Sequence, residues 1–540
     1  MTPGSKTLKG ALALGFAAAL VGRPAGETHA QAPPAASRPA APLPPALDAW
    51  AAGVMNTFGV PGLALAIVKD GETVLAKGYG VRKVGEAAAV DRDTLFGIAS
   101  NTKVFTATAL GLLVDEGKLE WDAPVVRYLP WFQLSDPYVT REITVRDLLV
   151  HRSGLGLGAG DLLWWPPSTY TRREIAERLR FIPLATSFRS AYAYDNVLYL
   201  IAGEVIEAVS GRSWEAFVTE RILTKVGMTT TGAEYAVVRG RANIATPHAS
   251  LDGVVRPIAT FESGNVNPAG GIMSSAADMA RWAAVLSREG RLADGTPLVS
   301  PATARQLATL VTPIPFGDPP PELSALKRQF NGYALGLGVQ DYRGRKLVTH
   351  TGGLPGYVSK VTLVPDIGLG VVVLTNQESS EAFSALTFQV LDWYLQAPAV
   401  DWTDAYARVR AREDARVAEL DTRAHQARNA ASRPSLPLGS YVGTYRDAWY
   451  GDVGIVQEGA KLVMRFSHTP SLVGELEHWQ YDTFVARWRD RELRADAYVS
   501  FALDADGRVE RVTLKAVSPS TDFSFDFQDL LLKPVAVPSK

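Results

Sequence analysis

The chain has 540 residues, 47% of them hydrophobic and 21% charged, a length that calls for two or more domains rather than one core. A net charge of -1 and a pI near 6.7 supply no basic field, which excludes nucleic acid as an electrostatically recruited partner. Cysteine is absent, so a cysteine nucleophile, a disulfide scaffold, a lipidated N-terminal cysteine and a thiolate metal site are all excluded.

In chain order, the first predicted element is a secretory signal. Lys6 and Lys9 form a positive start, Ala11 to Val21 a short apolar run, and Thr28-His29-Ala30 offers small residues at a cleavage point placed after Ala30. An uncleaved membrane anchor is the alternative. No apolar run of about 18 residues follows, so no stable membrane insertion is expected. Residues 31–45 are rich in Pro and Ala and read as a spacer. A signal without cysteines suits a bacterial periplasm.

A helix is predicted over Leu47 to Phe58, then a β-hairpin from Leu63 to Gly80 turning at Asp70-Gly71. Asn101 to Glu116 carries apolar residues at helical spacing and stops at Gly117. Residues 141–290 read mostly as helices and loops. His350 to Val364 and Leu369 to Thr375 read as two antiparallel strands, which must join the first hairpin in one sheet. A charged, Ala- and Arg-rich stretch over 401–429 reads as a linker helix, broken by Ser432 to Pro437. Beyond Gly439, short alternating segments at 452–457, 461–466, 483–488, 497–503 and 508–517 predict a small all-β domain, closed or nearly closed into a barrel.

Three short motifs carry chemistry. Ser100-Asn101-Thr102-Lys103 lies where a strand-like stretch meets a helix, so the serine hydroxyl sits at a helix start and Lys103 one turn later on the same face. A buried lysine there sheds its proton and can take the one from serine. A surface Ser and Lys at this spacing is the plain alternative, and Ser324-Ala325-Leu326-Lys327 repeats the spacing in a Pro-rich loop. Tyr194-Asp195-Asn196 precedes an apolar run. Its phenol, with a pKa lowered by the lysine, can carry a proton, and its amide can hold a substrate carbonyl or orient Lys103; a packing tyrosine and a helix-capping asparagine are the alternatives. His350-Thr351-Gly352-Gly353 opens a predicted strand against which a substrate can lie. The Gly353 N–H would be an oxyanion donor, and His350 would stabilise anionic charge or assist Tyr194.

The other histidines of the globular part (151, 248, 425, 468 and 478) lack metal-ligand spacing, and no metal or other cofactor is expected. No G-x-S-x-G elbow occurs, which argues against an α/β-hydrolase. Gly154-Leu155-Gly156-Leu157-Gly158 lacks a strand–helix context and reads as a loop. Trp164-Trp165-Pro166-Pro167 reads as a substrate-facing wall or a buried aromatic pair.

Ser100-x-x-Lys103, Tyr194-x-Asn196 and His350-Thr351-Gly352, in this order, resemble the serine β-lactamase and penicillin-binding-protein-like hydrolases of the class C-like branch. Leu148 to Leu155, Gly270-Gly271-Ile272 with Asp278, and Leu335 to Gly338 extend the likeness over roughly residues 48–395. The resemblance implies an α/β fold, the β-lactamase/DD-peptidase fold, in which an antiparallel sheet flanked by helices meets an all-helical region at the site. It implies Ser100 as nucleophile, Lys103 and Tyr194 as proton carriers and Asn196 as the residue that positions substrate; His350, Gly352 and Gly353, read from their own chemistry, complete the candidate site. The tail, through Tyr441 to Tyr445, Tyr450-Gly451, His478-Trp479 and Asp482 to Phe484, resembles the lipocalin-like barrel appended to some of these hydrolases. The expected layout is therefore 46–398 catalytic, 399–434 helical linker and 435–540 barrel.

The function expected on this basis is cleavage of amide bonds in short or unusual linear peptides, such as linearised microcystin, through a Ser100 acyl-enzyme. A short-chain carboxylesterase, a true β-lactamase and a non-enzymatic penicillin-binding receptor are the alternatives. His350, standing where many relatives of this type carry lysine, weighs against the β-lactamase, because a permanent cation facing a substrate carboxylate is lost. The expected partner is a small peptide or ester, and the tail would cap the cleft or build a homo-oligomer.

Overall fold

A computed structural model describes residues 41–536; the signal segment and most of the spacer expected from the sequence lie outside them. Helix α1 (Leu47–Phe58) buries Leu47, Ala51, Val54 and Phe58 on one face and ends at Gly59, whose φ of 68° suits a residue without Cβ. Next come β1 (Gly62–Lys69) and β2 (Glu72–Gly80), turning at Asp70-Gly71. Gly71 has a φ of 82°, as such a turn requires.

Ser100 lies in a 3-10 turn over Ala99–Thr102 that runs straight into α2 (Lys103–Asp115). Helices and loops follow, including α3 (Val197–Ser210) and α4 (Ala276–Ser287). The chain then returns to the sheet as β3 (Thr312–Pro313), β4 (Asn331–Tyr333), β5 (Gly338–Tyr342), β6 (Arg345–Leu354), β7 (Tyr357–Val364) and β8 (Leu369–Thr375). These make one eight-stranded sheet in the order β2-β1-β8-β7-β6-β5-β4-β3. The register pairs Leu63 with Thr375 and Gly352 with Ser359, so the two ends of this region do meet in one sheet. Strands β1, β7 and β8 are buried along nearly their whole length; β1 and β8 carry near-continuous apolar runs to match, while β7 buries Ser359, Lys360 and Thr362 among its apolar residues.

One expectation is corrected. The stretch from His350 to Val364 is not a single strand but parts of two, β6 and β7, joined at Pro355-Gly356. Gly356 has a φ of 75°, and a Cβ there would stand 2.3 Å from Pro247. The Pro-Gly pair is an ordinary turn signal that outweighs the apolar run around it.

Helix α5 (Ser380–Tyr394) covers the sheet, and α6 (Trp402–Ala427) leads to the tail. The tail is a closed barrel of eight antiparallel strands, β9 (Gly443–Asp447), β10 (Gly451–Glu458), β11 (Lys461–Phe466), β12 (Val473–Gln480), β13 (Thr483–Trp488), β14 (Ala497–Leu503), β15 (Val509–Ala516) and β16 (Leu531–Pro534). Its buried core includes two ring clusters, Tyr441 against Phe484 and Phe466 with Trp488 and Phe527. This is the packed core usual for a barrel of this strand number. The sheet region and the barrel belong to one compact unit. Among the described residues no helix is long and apolar enough to cross a membrane.

Candidate active site

The predicted residues converge on a pocket of about 450 Å3 whose lining includes Ser100, Tyr194, Asn196, His350 and Gly353. Ala99, immediately before the serine, has a φ of 49°, a strained value for a residue with a Cβ, at the turn that presents Ser100. Gly352 lets β6 pass against that turn: a Cβ there would lie 2.2 Å from the Ile98 carbonyl and 2.5 Å from Ser359 Oγ. Nothing stands within 4 Å of the Cβ position of Gly353, which faces open space. Strand β5 pairs with β6 only as far as Thr349, so beyond it the edge of β6 is clear of β5 beside the serine.

Lys103 is fully buried, with Nζ 3.0 Å from Ser100 Oγ, 2.7 Å from Asn196 Oδ1 and 3.1 Å from the Ala269 carbonyl. Burial pulls its pKa down to about 7, against the opposing charges of Asp161 and Asp195. A neutral amine fits these three partners: two N–H groups donate to the Asn196 and Ala269 oxygens, and the lone pair accepts the serine proton.

The Tyr194 hydroxyl is hydrogen-bonded to Ser100, and its ring lies 4.8 Å from Lys103 Nζ. Its pKa moves the opposite way from the sequence expectation. Burial raises it and the Ser100 contact only partly offsets this, so Tyr194 meets the serine as a neutral phenol rather than a phenolate.

Asn196 stands at the N-cap position of α3, the alternative that the sequence left open, but does not cap it through its side chain. Asp195 Oδ1 instead accepts from the Val197 N–H at 3.1 Å. Asn196 Nδ2 donates to Asp161 Oδ2 at 2.8 Å, which turns Oδ1 toward the lysine.

His350 is bonded at both nitrogens, Nδ1 to the Thr351 carbonyl at 2.6 Å and Nε2 to the Tyr333 hydroxyl at 2.7 Å. The carbonyl only accepts, so Nδ1 carries the proton and Nε2 accepts from Tyr333. Burial, reinforced by Lys103, brings its pKa down to about 3, and the ring is neutral at physiological pH. An imidazolium stabilising anionic charge does not fit this environment.

Ser324 and Lys327 lie on the surface away from the pocket, with Lys327 paired to Asp318 at 2.9 Å. Trp164 and Trp165 are both buried and both pocket wall, edge-to-face at 5.4 Å, which unites the two sequence alternatives. Gly154 to Gly158 is a loop. Among the described residues no cluster of His, Asp and Glu could hold a metal ion.

Several site residues are given no role by the sequence. Tyr333 holds His350. His151 is buried beside Tyr194 at 4.3 Å, its Nδ1 accepting from the Asp195 N–H at 3.0 Å. Asp161 is fully buried against Asn196. Asp522, Phe523 and Ser524 enter the pocket from the barrel. Each is brought in by tertiary folding, and no local spacing marks it.

Residues 47–392 match the beta-lactamase family, and residues 427–534 match a domain of unknown function, DUF3471. An unguisins hydrolase of Aspergillus campestris is 31% identical over 74% of this chain and 76% of its own length. Another, of Aspergillus violaceofuscus, is 27% identical over 80% of this chain and 81% of its own. The octameric penicillin-binding protein homologue from Pyrococcus abyssi shares the fold over 90% of this chain and 99% of its own, with a TM-score of 0.57 at 23% identity. Fold and relatives together make this chain a serine hydrolase. It belongs to the beta-lactamase family and carries a closed eight-stranded barrel at its C-terminal end.

Proposed function

We propose that this serine hydrolase cleaves amide bonds of short or unusual linear peptides, including those formed when cyclic peptides such as microcystin are opened, and that it works in the bacterial periplasm. The observation that carries the chemistry is the buried Lys103 amine, 3.0 Å from Ser100 Oγ and held by acceptors on its other side. Lys103 takes the Ser100 proton as Oγ attacks the substrate carbonyl. The oxyanion forms beside the clear edge of β6, where Gly353 and the Ser100 turn supply N–H donors and Gly352 allows the close approach. The neutral Tyr194 hydroxyl gives its proton to the leaving amine and regains from Lys103 the one that the lysine took from Ser100. Water then attacks the acyl-enzyme with Lys103 again accepting the proton, and Lys103 returns it to Ser100 Oγ as the acyl–oxygen bond breaks and the acid product leaves.

Two features favour a peptide over a lactam. The neutral His350 offers no cation to a lactam's carboxylate. A second cleft of about 780 Å3 shares Trp165, Gly353, Leu354 and Asp522 with the pocket, and its size suits residues on one side of a scissile bond. Among the relatives, two are named as unguisins hydrolases. The periplasmic location rests on the charged, apolar and small-residue pattern of residues 1–30.

The test is a panel of linear peptides read by mass spectrometry, together with a p-nitrophenyl ester and nitrocefin. Each is set against Ser100→Ala and Ser324→Ala. Peptide cleavage abolished by the first and untouched by the second is expected. Equal loss in both would remove Ser100 from its role, and turnover confined to the ester or to nitrocefin would replace the peptidase.

A further inference from the structure

The connection between the last two barrel strands, residues 517–530, leaves the barrel and becomes part of the pocket wall. Phe527 roots it in the barrel core, 5.9 Å from the Trp488 ring. Phe523 lies over Gly158, where a Cβ would come within 2.8 Å of the ring, and meets Tyr194 edge-on at 6.0 Å. Between them the Asp526 carboxylate accepts the N–H groups of Gly160 at 2.7 Å and Leu162 at 3.0 Å. Ser524 is 3% exposed and donates Oγ to Asp161 Oδ2 at 2.8 Å.

Asp161 accepts from Trp164 Nε1 at 2.9 Å and Asn196 Nδ2 at 2.8 Å as well. Burial pushes the Asp161 carboxyl up to about 7, and the hydrogen bonds from Asn196, Ser524 and Trp164, with Lys103 nearby, pull it back toward the ionised form, in which it only accepts. A primary amide has one donating and one accepting end, and an acceptor-only carboxylate decides which end faces it. With Nδ2 committed to Asp161, Asn196 must aim Oδ1 at Lys103, where it accepts at 2.7 Å. A continuous chain of hydrogen bonds thus runs from a barrel serine to the lysine beside Ser100.

We propose that Ser524 and Asp161 are positioning residues through which the C-terminal barrel fixes the orientation of Asn196 and the aim of Lys103 at Ser100. This rests on Ser100 and Lys103 being the reacting pair. The charged and titratable groups around Asp161 are Lys103 from α2, Asp195 and Tyr194 from the approach to α3, and Asp526 from the barrel connection. The charge of Asp161 holds the Lys103 pKa up against burial. Weakening that charge lets the lysine become neutral at lower pH, while freeing Asn196 spoils its aim.

The experiment uses the full chain with Ser524→Ala, Ser524→Thr and Asp161→Asn. Activity is read as kcat, KM and the pH profile, and the Lys103 titration is followed separately by NMR of 13Cε-lysine assigned through Lys103→Arg. For Ser524→Ala, kcat falls about 10-fold at unchanged KM, the acid limb of kcat/KM moves to lower pH, and the Lys103 resonance titrates lower. Asp161→Asn moves the titration down by about one unit or more. Ser524→Thr, which keeps the hydroxyl, restores wild-type behaviour. A Ser524→Ala protein with wild-type kcat and an unmoved Lys103 titration overturns the proposal, and so does an equal loss in Ser524→Thr. The NMR titration needs no substrate. A lysine that shifts as expected in an enzyme that cleaves none of the panel would therefore sink the proposed function and leave this inference standing.

Discussion

The lysine beside Ser100 is useful only when it is neutral, and that ties activity to pH with a definite sign. Lys103 in the folded chain titrates near 7, far below an exposed lysine, because burial disfavours its charged form. Above that pH the amine is free to accept the serine proton; below it the site is occupied by an ammonium. The logarithm of kcat/KM should therefore rise with pH up to about 7 and level off above it, and a profile flat from pH 5 to 9 would contradict the assignment. Lys103→Arg, which cannot deprotonate, should be inactive across the whole range. Tyr194 is a donor with a raised pKa, so no phenolate limb belongs to it near neutrality. Tyr194→Phe should lower kcat by roughly 10²–10⁴-fold, the span usual for a general acid or base, with the position of the acid limb little changed. An unaltered kcat would take Tyr194 out of the proton path.

Among the elements, those whose periodicity agrees with their environment were legible in the sequence. Helix α1, the β1–β2 hairpin and the helix after Ser100 stand where the apolar spacing puts them. Five of the eight barrel strands coincide with alternating segments. The other three, β9, β12 and β16, are short or irregular: β9 and β16 pair with each other only where the barrel closes, Tyr445 opposite Pro534, and β12 carries a register shift between His478 and Gln480. The site followed the same division. Ser100 and Lys103 sit one helical turn apart and could be read locally, whereas Asp161, Tyr333 and Ser524 reach the pocket only through the packing of separate layers. Lys360 on β7 shows a related failure of pattern: it lies within a strand buried along its whole length, on the face turned to α5, with Nζ 4.9 Å from the Phe388 ring and 5.3 Å from Phe383. Burial lowers its pKa to about 7, so the folded state favours the neutral amine while the unfolded chain keeps it charged up to about 10.4. The fold is therefore unburdened above the unfolded value, and the penalty grows as pH falls to about 7 and is constant below it. Lys360→Met should stabilise the protein on the order of 3 kcal/mol more at pH 6 than at pH 10. Urea denaturation at the two pH values measures this, and an equal effect at both would show that Lys360 is charged in the fold.

For the molecule as a whole, the barrel is bound to the catalytic region on both sides of the pocket. On one side Arg178 donates to the Trp449 carbonyl at 2.9 Å, the Thr169 N–H to the His468 carbonyl at 2.8 Å, and Tyr170 stacks on His468 at 3.9 Å. On the other, Arg494 grips Glu378 with two bonds of 2.6 and 2.7 Å, and Glu378 also accepts the N–H of Gly356 at 2.8 Å. Gly356 is the turn between β6 and β7, the hairpin whose near strand carries Gly353. The pair therefore ties the barrel to the tip of the hairpin that borders Ser100, and both residues line the larger cleft. Arg494→Ala should loosen the cleft and leave the serine–lysine chemistry intact. Because both side chains are partly exposed, the effect is modest, about 1 kcal/mol or a 5-fold rise in KM for peptides long enough to fill the cleft. A small ester, which needs only the inner pocket, should keep its kcat/KM. Raising the salt concentration should weaken the pair in the wild-type chain and move its KM toward that of the variant. Ester and peptide losing activity in the same proportion would mean instead that the ion pair supports the catalytic residues themselves and that the larger cleft holds no substrate.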